Sequence, residues 1–133
     1  MAGFSTYLQA AILGWIKGTA MPAAPSAVYV ALFSADPTDA GTLTNEVTTT
    51  IRAAGRVAAT FGAVSTGSGT GTIANSAAVD FGTAAGGATV THFGVFDAAS
   101  AGNMLGSGTI TGGTISTGNA VSFAAGSLTI SAS

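Results

Sequence analysis

Short stretches in which apolar residues alternate with small or polar ones recur along most of the chain. Such alternation places successive side chains on opposite faces, as in a β-strand with one face buried. Runs of glycine, serine, threonine and asparagine separate the stretches at intervals of roughly 8–12 residues, which is typical of all-β sandwiches and barrels. We therefore predict about eight β segments. The clearest are Ala27–Ser34, Val47–Arg52, Arg56–Val64, Ile73–Phe81, Ala88–Asp97, Thr109–Ile115 and the closing stretch Val121–Ile130.

The stretch Thr89–Thr109 is predicted to form a hairpin at the centre of the domain. A pair of strands this apolar is not stable alone in water, so the other β segments must assemble on it. The glycine at position 94 indicates either a bulge or the close approach of another backbone. Simple alternation along the first strand of this hairpin predicts one face with Val90, His92 and Phe96 and an opposite face with Phe93 and Val95.

The segment Ala27–Ser34 is apolar on both faces. Val28, Val30 and Leu32 share one face, and the alternate residues between them are also mostly apolar. A strand with two apolar faces belongs inside a sandwich or beneath a helix. By contrast, Ser65–Thr72 is predicted to be a turn or a flexible loop, because its glycine content is too high for a strand.

The segment Ser5–Lys17 is the one predicted helix. Ser5 is suited to cap its N-terminus, Lys17 complements the dipole at its C-terminus, and Gly18 stands where a left-handed terminating residue belongs. Gly14 lowers helix stability by about 1 kcal/mol relative to alanine and therefore predicts a close contact on that side. The apolar positions recur at intervals of three and four residues and form a stripe: Leu8, Ala11, Ile12, Trp15 and Ile16.

The apolar stripe needs a surface to cover it. Two alternatives remain open: the helix packs on its own β domain, or it reaches a neighbouring subunit. The linker Met21–Pro25, extended by its prolines, separates the helix from the first long strand. We therefore predict an N-terminal helix within residues 1–20 and a single β domain over residues 27–133. The predicted fold is mainly β, an antiparallel jelly-roll-like sandwich or barrel of about eight strands with one N-terminal amphipathic helix.

Only 6% of the 133 residues are charged, and the net charge is −2, whereas an average soluble domain has roughly 25% charged residues. A free monomer normally keeps more charge for solubility, so we expect partners to cover much of this surface. Three basic residues are too few to neutralise a run of phosphates, which argues against direct nucleic-acid binding. The chain has no cysteine, and no apolar run reaches the ~18 residues of a membrane span.

The sequence points to no catalytic chemistry. His92 is the only histidine, and Asp80 or Asp97 could complete a triad with a serine, but no nucleophile motif supports one. We therefore expect no enzyme, no cofactor, no metal and no small-molecule substrate. Asp36, Asp39 and Glu46 lie close together in sequence; a calcium site there is an alternative to an ordinary solvated turn, although their spacing matches no EF-hand loop.

Four segments of the chain resemble a family of small structural proteins of tailed bacteriophages and prophages, often described as tail-fibre or minor structural proteins. They are MAGFSTYL at Met1–Leu8, LFSADPTDAG at Leu32–Gly41, THFGVFDAASAGNML at Thr91–Leu105 and GNAVSFAAGSLTI at Gly118–Ile130. Together they span nearly the whole chain. The resemblance implies a virion component made in the bacterial cytoplasm and located on the capsid exterior or on the tail.

Two roles follow from this resemblance. The first is a capsid cement or decoration protein that stabilises the head by bridging capsomers, with itself (as a dimer or trimer) and the major capsid protein as partners. The second is a tail-associated or receptor-recognition module. The absence of a coiled-coil stalk, a long repeat and an aromatic-rich tip favours the first role. In either role the predicted site is an interface formed by Leu8, Ile12, Trp15, Ile16, Arg52, Arg56, Asp36, Asp39 and Glu46.

Overall fold

The computed structural model describes residues 3–132 and contains ten strands and two helices in that range. A 3-10 turn at Leu43–Asn45 precedes the second helix. In chain order the elements are β1 Gly3–Phe4, α1 Thr6–Ile16, β2 Val28–Phe33, α2 Thr48–Ile51, β3 Val57–Ala59, β4 Ser65–Gly67, β5 Thr70–Ala74, β6 Val79–Thr83, β7 Ala88–Phe96, β8 Met104–Ile115, β9 Ala120–Phe123 and β10 Thr129–Ala132.

The strands form three antiparallel sheets. The largest has five strands in the order β1-β8-β7-β2-β3, the second has the order β10-β5-β4, and the third pairs β6 with β9. The predicted central hairpin is β7–β8, which lies in the middle of the largest sheet. The mainly β, antiparallel fold with one N-terminal helix is confirmed, and the finer jelly-roll arrangement stays a prediction.

One apolar core joins all three sheets. The large sheet contributes Val30, Leu32 and Phe93, while the two smaller sheets contribute buried residues such as Phe81 and Ile130. Because adjacent side chains of a strand point to opposite faces, only one face of the large sheet packs on this core. Each burial of a large apolar side chain contributes about 1.5–3 kcal/mol, so this shared core is the main source of stability.

Strand β2 has the two apolar faces that its sequence predicts. Val30 and Leu32 pack into the main core, whereas Ala31 and Phe33 belong to a second cluster on the opposite face. All four residues are 0% exposed. The large sheet is therefore covered on both sides at β2.

The second cluster is built over a glycine. Phe33 and Phe96 stack with ring centroids 6.2 Å apart. A Cβ atom at Gly94 would lie 2.9 Å from the ring of Phe96, 3.1 Å from that of Phe33 and 3.3 Å from the sulfur of Met104. Gly94 thus makes room for side chains, and the predicted approach of a second backbone is wrong. No register shift occurs at Gly94 either.

Arg56 closes the second cluster from above. Its guanidinium carbon lies 3.8 Å from the centre of the Phe96 ring, and Nε and Nη2 donate to both carboxylate oxygens of Glu46 at 2.9 Å. Its Nη1 donates to the carbonyls of Ala98 at 3.0 Å and Ala101 at 2.7 Å. Planar stacking combined with a bidentate ion pair is the geometry for which arginine is suited. This single side chain ties two separate segments, the one that contains Glu46 and the turn after β7, to the sheet.

The simple alternation predicted for β7 is wrong at its beginning. The β7–β8 register shifts between Val90 and His92, so that β8 accommodates additional residues opposite Thr91. As a result, Val90 packs in the main core with Phe93 and Val95 and not on the face of Phe96. A bulge of this kind changes the face to which the following side chains point.

The strand predicted at Val47–Arg52 is also wrong, because Thr48–Ile51 forms a short helix, α2. The hydroxyl of Thr48 is buried and accepts a hydrogen bond of 2.9 Å from the N–H of Leu32. Ile51 is 0% exposed in the main core. These tertiary contacts outweigh the preference of threonine and isoleucine for strands.

The glycine-rich stretch predicted as a turn or flexible loop contains the β4–β5 hairpin. Ser65 pairs with Thr72, and Gly67 pairs with Thr70 across a two-residue loop. Both loop residues, Ser68 at φ 52° and Gly69 at φ 80°, have the positive φ that a type I′ turn requires. The turn chemistry therefore specifies the hairpin, and the predicted absence of strands here is wrong.

Helix α1 begins and ends where the sequence predicts. Ser5 accepts from the N–H of Leu8 at 3.2 Å, and Gly18 has φ 98° after the C-cap residue Lys17. The strand β1 just before it was not predicted; it pairs Gly3 and Phe4 with β8, so the N-terminal segment also belongs to the large sheet. A Cβ at Gly14 would meet only Thr19 at 3.7 Å, an ordinary contact, and the close contact predicted there is wrong.

Glycines in β8 allow β10 to cross over it. A Cβ atom at Gly108 would lie 2.5 Å from the ring of Phe93 and 2.9 Å from the carbonyl oxygen of Thr129. The same atom at Gly106 would lie 2.9 Å from the carbonyl oxygen of Gly3. The close packing between β8, β1 and β10 therefore depends on the absence of side chains at these two positions.

Replacing two glycines with alanine is expected to change stability in opposite directions. Gly14→Ala should raise the free energy of unfolding by about 0.5–1 kcal/mol, because alanine favours the helix and meets no obstacle. Gly108→Ala should lower it by about 1–3 kcal/mol through overpacking. Denaturant unfolding of both variants beside the parent protein measures the two effects. Equal stability of the two variants would contradict this account of the packing.

We expect the loss of Arg56 to lower the free energy of unfolding more than the loss of any other charged side chain. Arg56→Ala should lower the free energy of unfolding by about 3–5 kcal/mol, because Glu46 is left partly buried without its partner. The matched control is Arg52→Ala, which removes bonds from Nη1 to the carbonyls of Gly55 and Arg56 and should cost about 1 kcal/mol.

Salt provides an independent check on this interaction. Because the arginine and glutamate side chains are only 3% and 17% exposed, the Arg56→Ala effect should change little between low and high ionic strength. Denaturant unfolding at two salt concentrations measures it. A cost for Arg56→Ala that falls to the level of Arg52→Ala in high salt would identify the pair as a screened surface contact.

Candidate functional site

Helix α1 presents an unusual amount of apolar surface to solvent. None of its residues is buried, and Leu13, Trp15 and Ile16 are 66%, 64% and 70% exposed. The predicted stripe is therefore divided, since Leu8 and Ile12 are half-buried at its sides whereas Trp15 and Ile16 extend into solvent. Large exposed apolar patches on a small domain mark sites of association.

An apolar groove runs beside the N-terminal half of α1. Its volume is about 390 Å³. One wall is the helix and the other is the proline-containing linker, with the end of the β7–β8 hairpin at the bottom. The lining residues are Tyr7, Leu8, Ala11, Met21, Pro22, Ala23, Ala24, Pro25, Asp97 and Leu105.

Polar contacts fix the N-terminus of α1 to the β domain, in addition to the partial burial of Leu8 and Ile12. The N–H of Ser5 donates to the carbonyl of Leu105 at 3.0 Å, and its hydroxyl donates to the carbonyl of Met104. The N–H of Thr6 donates to the carbonyl of Asp39 at 2.7 Å. The helix is therefore held at its first turn, while its C-terminal half extends away.

The three carboxylates that are close in sequence after β2 do not converge on one point in the structure. Asp36 accepts from the N–H of Thr38, Asp39 accepts from the side chain of Gln9 at 3.3 Å, and Glu46 binds Arg56. Within residues 3–132, no three side chains of the metal-binding types come together. The helix stripe, Asp39 and the groove lie near one another, whereas Arg56 and Glu46 belong to the second cluster.

The candidate catalytic residues each have a local partner. The Nδ1 atom of His92 lies 2.8 Å from the hydroxyl of Thr91. Asp97 accepts from the backbone and side-chain N–H groups of Asn103 at 2.8 and 2.9 Å, and Asp80 accepts from the N–H of Gly82 at 2.7 Å. These contacts are typical of capped turns and strand ends.

Sequence reasoning missed two parts of this surface. Leu13 lies off the predicted stripe, so the exposed apolar surface is wider than the helical periodicity indicated. The groove was missed because it needs the linker to lie alongside the helix, and a proline-rich segment specifies an extended chain but not its direction. The short, mostly apolar side chains of Met21–Pro25 were the available signal.

A comparison with models of protein families gives a match over most of the chain. In the described residues, no helix is long and apolar enough to cross a membrane. No curated protein matches the chain. A family model described as Podophage GP4 fiber I protein gp80 matches residues 3–131, and this agrees with the resemblance found in the sequence. The match spans nearly the entire chain, and the chain therefore belongs to the Podophage GP4 fiber I protein gp80 family, a family of tailed-phage structural proteins.

Proposed function

We propose that the protein is a structural subunit of a fibre on the tail of a tailed phage, assembled through helix α1. The description of its family supports the fibre, and membership makes the chain a virion component. The observation that carries the mode of assembly is the exposure of Leu13, Trp15 and Ile16 on a helix that its own domain leaves uncovered. A surface of this kind is costly to keep in water unless a partner covers it.

The role in this proposal is mechanical and not catalytic. His92, Asp80 and Asp97 bond to different neighbours, and none of these contacts links an imidazole to both a nucleophile and an orienting carboxylate, as a catalytic triad needs. A stable domain with a shared core and a terminal attachment helix is suited to bearing load. Repeated modest contacts between such subunits are sufficient to hold a symmetric assembly together.

A second candidate is the capsid cement role, with the major capsid protein as the additional partner. The observation that favours it is the charge content of 6%, since a compact domain of low charge is suited to lying across capsomer junctions. In this role the same helix would face the capsid lattice. The two candidates therefore share an attachment surface and differ in its location on the particle.

Copy number per virion distinguishes the two roles. A quantitative stained gel of purified particles, with the major capsid protein as the internal standard, measures it. The fibre role predicts from a handful to a few dozen copies, because fibres attach at a symmetric tail and not across a lattice. Hundreds of copies would contradict the fibre proposal and favour cement.

The position of the protein on the particle provides an independent check on the copy number. Gold-labelled antibodies against the protein should mark the tail of intact particles and leave the head unlabelled. Disrupted particles, from which tails are separated by centrifugation, should retain the protein in the tail fraction. Recovery with empty heads would contradict the fibre role even at low copy number.

A further inference from the structure

We propose that the side of α1 formed by Tyr7, Ala11 and Trp15 binds the same side of α1 of a second copy in an antiparallel pair, with Trp15 of each copy seated in the groove of the other. The proposal rests on the proposed function in one respect, namely that α1 is the assembly surface. Its experiments use purified protein, so that its failure and the failure of the virion role are distinguishable.

The residues along one side of α1 are self-complementary. Tyr7, Ala11 and Trp15 recur every four residues and therefore lie on one side of the helix. The small side chain of Ala11 therefore has an aromatic side chain one turn before it and another one turn after it. An antiparallel pair centred on Ala11 places Trp15 of each copy against Tyr7 of the other, which is the reciprocal pattern of a two-fold interface.

The groove is located where this arrangement needs it. Tyr7, Leu8 and Ala11 form its helical wall, and Met21 and Pro22 belong to the linker wall. Its volume of about 390 Å³ is sufficient for an aromatic side chain. Tryptophan is enriched at such interface centres because it buries a large area with little loss of conformational freedom.

Charge also favours the antiparallel direction. Lys17 and Ser5 lie six residues on either side of Ala11, about 9 Å along the helix axis in each direction. Ser5 bonds to Leu105, which lines the groove together with Asp97. Along the helix axis, an antiparallel pair therefore brings Lys17 of one copy level with the end of the groove that contains Asp97 of the other. A parallel pair would place like ends together.

Cysteine cross-linking tests the geometry directly, because the chain has no cysteine of its own. Ala11→Cys lies on the proposed two-fold axis and should form a disulfide-linked dimer under mild oxidation. Tyr7→Cys should not, because the two copies of position 7 are separated by about 12 Å along the axis, beyond disulfide reach. Val64→Cys, at a position 70% exposed in the native chain, controls for random collision.

The cross-linking pattern has one supporting outcome. Cross-linking at position 11 alone supports the antiparallel pair. Cross-linking at both 7 and 11 shows a parallel pair and overturns the proposal. Cross-linking no faster at position 11 than at position 64 also overturns it.

Sedimentation and fluorescence test the role of Trp15. Because Trp15 is the only tryptophan, its emission should shift to shorter wavelength as protein concentration rises and the dimer forms. Trp15→Ala should raise the dimer dissociation constant about 10- to 30-fold. Lys17→Glu should weaken the dimer, whereas the matched control Val64→Ala should leave it unchanged. Circular dichroism verifies that each variant is folded.

The outcomes separate this proposal from the virion role. A monomer at high micromolar concentration, with no shift in emission, overturns the pairing. If such a monomer still loses its place in virions when Trp15 is replaced, α1 remains the assembly surface with a different partner. A dimer that depends on Trp15 but is not incorporated into fibres supports the pairing and contradicts the virion role.

Discussion

The interaction on which the outer half of the structure depends is the one between Arg56 and the second face of the large sheet. The guanidinium covers the ring of Phe96 while its edges bind Glu46 and two carbonyls of the turn after β7. The loop after β2 and the turn after β7 each keep backbone bonds of their own, from Val47 to Leu32 and from Asp97 to Asn103. Arg56 is the side chain that joins the two segments to each other across the ring of Phe96. A chain with three basic residues uses one of them inside. That choice reduces the surface charge further, and in the proposed role it leaves association to apolar contacts.

Much of the fold follows from local patterns, and the exceptions have particular causes. The faces of β2 and the two ends of α1 agree with their sequence signals, because alternation and capping act within a few residues. The helix at Thr48–Ile51 could not be predicted in this way. It depends on a hydroxyl reaching Leu32, sixteen residues away in sequence. The bulge opposite Thr91 likewise arises from pairing between two strands, and its one local sign is Gly113 in β8, where a Cβ atom would collide with the carbonyl oxygen of Val90.

The candidate site also has a part that local sequence patterns predict and a part that depends on contacts between distant segments. Periodicity identified Leu8, Ile12, Trp15 and Ile16 as one apolar surface, and the structure shows how much of that surface its own domain leaves open. Composition could not show that Arg56 and Glu46 are bonded to each other. From the sequence alone both residues are expected to be surface charges, because the burial of an ion pair depends on contacts from several segments of the chain. The groove depends in the same way on the direction taken by a linker without regular structure.

The attachment of α1 through its first turn and its half-buried side, and not through its exposed residues, separates two evolutionary constraints. The contacts that hold the helix use Ser5 and backbone groups of Thr6 and Leu105, and none of the exposed residues of the helix contributes to the core. Substitutions at Leu13, Trp15 or Ile16 are therefore expected to leave the stability of the domain almost unchanged, and in the proposed role they alter what the helix binds. Selection for a new attachment partner could act on this surface freely. The same β domain could thus be transferred between virion architectures by changes confined to a few helical positions.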